Sequence, residues 1–141
     1  MRRAGLILAS MAVLLAPTLC VADLVVVVAA GNQTPGLTRD EVTNIFLGRY
    51  RQLPSGQAAP ADLPVNDAER ARFYRLLVGK EQSQINAYWS RLVFSGKTAP
   101  PVQPGGVDEV VRFVATTPGG IAYLDRSRVD SRLKIVLELE R

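Results

Sequence analysis

The sequence predicts an α/β fold, on three observations. Residues 24–30, LVVVVAA, form an unbroken β-branched run, and a strand apolar on both faces sits centrally, covered by helices on each side. Segments with apolar residues at i, i+3 and i+4 alternate with short apolar runs, the pattern of helices layered on a sheet. Capping residues and glycines stand at the ends of the periodic segments, where helix starts and stops require them. A chain of 141 residues suits one domain, and neither an internal repeat nor an interdomain linker interrupts it. The expected architecture is a central, mostly parallel sheet with helices on both faces.

Residues 1–22 have the layout of an export signal. Arg2 and Arg3 make a basic start, residues 6–19 are apolar, and Cys20-Val21-Ala22 places small residues at −3 and −1 of a cut before Asp23. The apolar run is short of the roughly 20 residues a membrane span needs, so cleavage is expected rather than anchoring. Leu19 is not the small residue that precedes a lipid-modified cysteine. The expected product is one periplasmic domain, 23–141, without a membrane span.

Composition then excludes several chemistries. The whole chain has 17 Lys+Arg against 13 Asp+Glu. Loss of Arg2 and Arg3 with the signal leaves 15 against 13, too mild a balance to argue for nucleic acid. There is no histidine, and Cys20 is the single cysteine. After cleavage the domain therefore lacks disulfides, a thiol nucleophile, a Ser–His pair and His or Cys zinc ligands. No pair among its carboxylates is singled out by spacing. An enzyme is not expected, and no catalytic residue, metal or cofactor is assigned.

Along the domain, Gly31-Asn32-Gln33-Thr34-Pro35-Gly36 is a loop at the carboxyl end of the first strand. Residues 37–50 read as one complete helix. Thr38 is its N-cap, Glu41 completes a capping box, and Asp40 and Glu41 put negative charge at the positive end of the helix dipole. Val42, Ile45 and Phe46 make its apolar stripe, and Gly48 supplies the left-handed C′ position. Residues 49–61 hold Pro54, Ser55, Gly56 and Pro60, a turn-rich excursion with room for a small hairpin. Leu63-Pro64-Val65 reads as a second strand. Asn66 is the expected cap of the next helix, with Glu69 at capping-box spacing, Phe73, Leu76 and Leu77 as its stripe, and Gly79 closing it.

Residues 80–95 make the third helix. Ile85, Tyr88, Trp89, Leu92 and Val93 give the strongest helical periodicity in the chain, and Gly96 ends it. The proline- and glycine-rich residues 97–106 are irregular. Val107, Val110, Val111 and Val114 form a fourth helix with Asp108 and Glu109 in its first turn. Thr117-Pro118-Gly119-Gly120 turns into a buried strand at 121–124. Residues 133–140 alternate as an edge strand, with Leu133, Ile135, Leu137 and Leu139 inward and Lys134, Glu138 and Glu140 outward.

Three motifs, in order, resemble a known family. Phe46-Leu47-Gly48-Arg49 after a capped helix resembles the IFLGK-type motif of the phosphate-binding proteins of ABC importers, type II periplasmic binding proteins. Leu63-Pro64-Val65 before a helix with Phe73 resembles their strand into the ligand-gripping helix. Pro118-Gly119-Gly120-Ile121-Ala122-Tyr123-Leu124 is similar to their PGAIGYV return strand. The likeness spans about residues 24–125 and is nearest to the short, stand-alone periplasmic members.

The resemblance implies a single lobe of the two-lobed fold and a small anion such as phosphate as ligand. The family grips that anion with Ser-Gly-Thr at a helix N-terminus. Here the corresponding residues are Asn66-Asp67-Ala68-Glu69. A carboxylate about 4 Å from a phosphate charge, at an effective dielectric near 20, costs on the order of 4 kcal/mol before screening, and Arg70 could offset one of them.

The candidate ligand-binding residues are Asn32, Gln33 and Thr34, at the end of a central strand where open α/β sheets bind ligands, together with Asn66 and Arg70. Turn formation and plain N-capping account for the same residues without a ligand. Arg49, Arg51, Arg72 and Arg75 could meet an anion or stay solvated. Gly119 and Gly120 fit a turn, and Tyr88 and Trp89 fit core packing. Two function classes follow: an exported solute-binding protein for phosphate or a similar anion, or a ligand-free interaction module for a sensor, transporter or envelope complex. A homodimer could also supply the missing cleft wall.

Overall fold

Leu24–Ala29 forms β1, the strand on which the sheet is built. Leu24 through Val28 are wholly shielded from solvent, as a strand apolar on both faces must be. The computed structural model describes residues 23–139; the export segment expected at 1–22 and the outward position expected of Glu140 lie outside the described residues. The sheet order is β4-β5-β1-β6, with β4 at Ala59–Pro60, β5 at Gly120–Asp125 and β6 at Leu133–Glu138. Gln52–Leu53 (β2) and Gly56–Gln57 (β3) form a separate hairpin in the turn-rich excursion.

The α/β class and the helices on both faces are as expected, but the sheet is mixed rather than mostly parallel. β1 is antiparallel to both β5 and β6, and the parallel contacts are β4 with β5 and the Ala61–Val102 bridge beside them. Parallel neighbours need a crossover connection. The helices between β4 and β5 provide it, whereas β1 is flanked by two strands from the far end of the chain.

The helices are α1 (Arg39–Phe46), α2 (Ala68–Val78), α3 (Gln82–Ser95) and α4 (Val107–Thr116). α1 starts on the expected capping box: the Glu41 amide donates to the Thr38 hydroxyl at 3.2 Å and the Glu41 carboxylate accepts from the Thr38 amide at 2.7 Å. Gly48, Gly79 and Gly96 take positive φ at or just past the ends of α1, α2 and α3, where a β-carbon is penalised.

Opposed residues of an antiparallel pair share a face, so Val26 and its partner Tyr123 point to the same side. There Phe46 of α1, Phe73 of α2 and Tyr123 form a ring cluster, with centroids 4.9 Å apart for Phe46–Phe73 and 3.8 Å for the stacked Phe73–Tyr123 pair. Each such pair adds about 0.5–1.5 kcal/mol beyond area burial. α4 covers the other side. A β-carbon on Gly120 would come within 2.9 Å of the Val114 Cα, and one on Gly119 would overlap the Gln57 carbonyl oxygen. The two glycines thus do more than turn the chain: they let α4 and β3 close on the start of β5.

Three expectations change in detail. The strand expected at Leu63-Pro64-Val65 lies earlier, at β4. The Leu63 amide is taken by side chains, Asp62 Oδ1 at 2.9 Å and the Tyr123 hydroxyl at 3.3 Å, and Pro64 has no amide to offer a ladder. In β6 the alternation breaks, because the register against β1 slips between Val26 and Val27, so that Leu137 and Ile135 pair and Val136 is skipped. Val136 is buried instead, and its carbonyl accepts from the Leu37 amide at 2.8 Å. That bulge ties the loop before α1 to the sheet. Along α3, Ile85 and Trp89 are buried, Tyr88 and Leu92 only partly, and Val93 is 54% exposed, because among the described residues no element covers the last turn.

Candidate functional site

The five candidate residues fall into two groups, one at each end of the sheet. Asn32, Gln33 and Thr34 follow the carboxyl end of β1, beside the start of β5. Asn66 and Arg70 belong to the amino end of α2, near Asp125 at the end of β5. A six-residue strand, about 17 Å, separates them, so they do not form a single pocket.

At the β1 end Asn32 and Thr34 are engaged by the fold. The Thr34 amide donates to Asn32 Oδ1 at 2.8 Å, and the buried Thr34 hydroxyl meets Ser55 Oγ of the β2–β3 hairpin at 2.9 Å. Lys134 of β6 donates to the Asn32 carbonyl at 2.5 Å. Gln33 is exposed.

At the α2 end the cap is Asp67, one residue later than the expected Asn66. Asp67 Oδ1 accepts from the Glu69 amide at 2.8 Å, and the Asp67 amide donates to the Pro64 carbonyl at 2.9 Å. This short turn places Asn66 outside the helix on the exposed surface. Glu69 sits beside the cap. Burial, with the nearby charges of Asp67 and Asp125, raises its pKa, against the opposing pull of Arg128 and Arg72. Its Oε2 is buried without a hydrogen-bond partner among the described residues. Asp125 is held below the usual carboxylate range by hydrogen bonds from Ser127, so it keeps its negative charge. Orphan amides and positive potential are what make a helix N-terminus attractive to anions. Here Asp67 occupies one of those amides, and Glu69 and Asp125 add carboxylates beside it, opposed by Arg72 and Arg128.

Beneath this surface lies a buried polar cluster that sequence reading did not single out. Asp62 is 2% exposed and Arg70 3%. The Asp62 carboxylate accepts from Arg70 Nε at 3.3 Å, from the Tyr74 hydroxyl at 2.6 Å, from the Tyr123 hydroxyl, and from the Leu63 amide. Arg70 also donates to Gln82 Oε1 at 2.7 Å and Asn86 Oδ1 at 3.3 Å on α3. Burial pushes the Asp62 pKa up, against the pull of the two tyrosines and Arg70. Burial and the Asp62 charge push both tyrosines well above their ordinary value. Four donors fill the roughly four lone-pair sites of a carboxylate. The cluster fastens β5, α2 and α3 together and leaves Asp62 no free lone pair for a ligand. The available sequence signal was an aspartate set between the apolar Ala61 and Leu63, eight residues before an arginine.

The remaining arginines do not converge. Arg51 donates to the Ala99 carbonyl at 2.5 Å and lies 5.8 Å from the Trp89 ring centre, and Arg75 faces Glu81 at 3.9 Å. Arg49 lines a groove at the other end of the helical layer. Among the described residues no group of three or more acidic side chains has a metal-holding arrangement, and no helix is long and apolar enough to cross a membrane.

No family model and no curated protein matches the chain. Solved structures do. A phosphate ABC transporter substrate-binding protein with bound phosphate from Clostridium perfringens matches with a TM-score of 0.65 at 14% identity, over 82% of this chain and 44% of that one. An ABC-type phosphate transport receptor from Vibrio cholerae matches at 0.64 and 16% identity, over 82% and 45%. PstS from Borrelia burgdorferi matches at 0.59 and 14%, over 82% and 46%. The chain spans less than half the length of each. At such identity the likeness concerns the fold, and the chain has the α/β fold of a single lobe of these phosphate-binding substrate-binding proteins.

Proposed function

We propose that this chain is an exported, periplasmic lobe of solute-binding type that works by protein contact in a sensor, transporter or envelope complex, without enzymatic activity. The basic-then-apolar start of the chain supports export, and the fold supports the solute-binding origin. The observation that carries the reading is the amino end of α2. Asp67 caps it, Glu69 and Asp125 add negative charge beside it, and Arg70 is turned inward to Asp62. An oxyanion brought there meets carboxylates and an amide already in use.

A melting scan of the full chain tests this. A ligand present at a hundred times its Kd stabilises a fold by about 2.7 kcal/mol. No shift is expected with phosphate or sulfate at ~10 mM, a concentration that would saturate a site with Kd near 100 μM. A rise in Tm with phosphate would establish the second reading, capture of phosphate or a related anion, which the phosphate bound to the Clostridium perfringens protein favours. Light scattering shows whether a second copy completes the cleft.

A further inference from the structure

A groove of about 540 Å³ opens at the carboxyl ends of α1 and α2, alongside α3. α2 has 11 residues, which places the groove about 15 Å from Asp67, clear of the acidic amino end. Its floor is apolar, built from the buried side chains of Leu47, Leu77 and Ile85. Its rim carries Arg49, Lys80 and Arg91, all exposed, against the single acid Asp40. None of the three cations has an acidic partner among the described residues. The carbonyl ends of α1 and α2 contribute about half a negative charge each, which offsets part of this excess and leaves the rim positive.

The apolar surface also continues past the groove. Ala87, Arg91 and Phe94 follow one face of α3 at i, i+4 and i+7. Phe94 therefore extends the wall formed by Ala87 and Arg91 by one turn, and it is 96% exposed. A small molecule filling the groove would leave that ring in water, whereas a chain segment lying along α3 covers both. We propose that the groove between α1, α2 and α3 is the docking site for an acidic segment of the partner polypeptide, with apolar side chains on the groove floor and carboxylates against Arg49, Lys80 and Arg91. The proposal rests on the protein-contact reading and specifies the chemistry of the partner.

The test uses the full chain and a fluorescent peptide as long as α3, 14 residues, with leucines at helical spacing and glutamates elsewhere. A counterpart with lysines for glutamates is the control. The acidic peptide is expected to bind and the basic one not to. Lys80→Glu with Arg91→Glu should weaken binding about tenfold or more, as reversal of interface charges does. Ala87→Trp, which fills the groove, and Phe94→Ala should weaken it as well. All four positions lie on α3 or the turn before it, and circular dichroism confirms that the variants are folded. Equal binding of the two peptides, no binding of either, or affinity unchanged by charge reversal would overturn the proposal. Binding of octanoate in the groove without binding of the peptide would overturn it in favour of a small-molecule site. These outcomes are separate from the phosphate scan, which tests the protein-contact reading by itself.

Discussion

The two ends of α2 differ in every property that matters for recognition. The amino end is acidic at its surface, with Asp67, Glu69 and Asp125, and saturated beneath it, where Asp62 has a donor for each lone pair. The carboxyl end is basic, apolar-floored and open. Each sign complements the helix dipole next to it, so charge alone does not separate function from stability. Saturation does. Asp62 and its donors at the amino end are bound to one another, and removing one leaves its partner buried. Arg49, Lys80 and Arg91 at the carboxyl end have no acidic partners among the described residues, and removing them costs the fold little. Polar side chains built into a fold and polar side chains offered to a partner can thus stand on one helix, told apart by what they touch.

Substitutions at the two ends sharpen or break this contrast. The largest effect is expected from Arg70→Ala, which strands the Asp62 carboxylate in the core and should cost about 3–5 kcal/mol in urea denaturation at neutral pH. The loss should shrink in acid, where Asp62, already raised by burial, takes up a proton and the stranded charge disappears. Tyr74→Phe deletes one donor and leaves one lone pair unmet, so about 1–3 kcal/mol is expected. A Tyr74→Phe variant as stable as the parent would show that the cluster is not saturated.

Smaller effects probe the surface. Glu69→Gln should stabilise the chain at pH 7 by no more than about 0.5 kcal/mol, because Glu69 is only partly buried and solvent screens much of the repulsion. The sign follows from linkage. The folded pKa of Glu69 is raised, so its ionisation costs stability as pH climbs from the ordinary glutamate range through the raised value. The advantage of the glutamine variant should therefore be complete at pH 7 and absent below about pH 4. At the opposite end, Lys80→Glu and Arg91→Glu should each change stability by less than about 0.5 kcal/mol, while together weakening the peptide affinity proposed above about tenfold or more. A large loss of stability from either would mean that the basic rim serves the fold.

How far each part was legible depended on the range of the interaction. The capping box at Thr38 and Glu41 and the left-handed glycines at 48, 79 and 96 are local, made by residues within a few positions of each other, and they were readable before any packing was known. The cap of α2 was not, because Asn66 and Asp67 are equally good caps and the turn from Pro64 chooses between them. The stripe on α3 promised five inward residues and buried two, since periodicity shows which face is apolar and not whether anything covers it. Of the candidate site residues, Thr34 and Arg70 were recognisable as polar groups beside a strand and on a helix. Their actual partners, Ser55 and Asp62, lie 21 and 8 residues away and carry no pattern linking them.

The order of the four helices, the start of α1, the glycine-marked ends of α1, α2 and α3, the apolar central strand and the absence of histidine follow from the amino-acid sequence by itself, since each depends on neighbours along the chain or on composition. The directions of the strands, the bulge at Val136, the inward turn of Arg70 and the uncovered groove beside α3 were decided only in the tertiary structure. Each depends on which distant segments reach the same place, and side-chain spacing does not encode that.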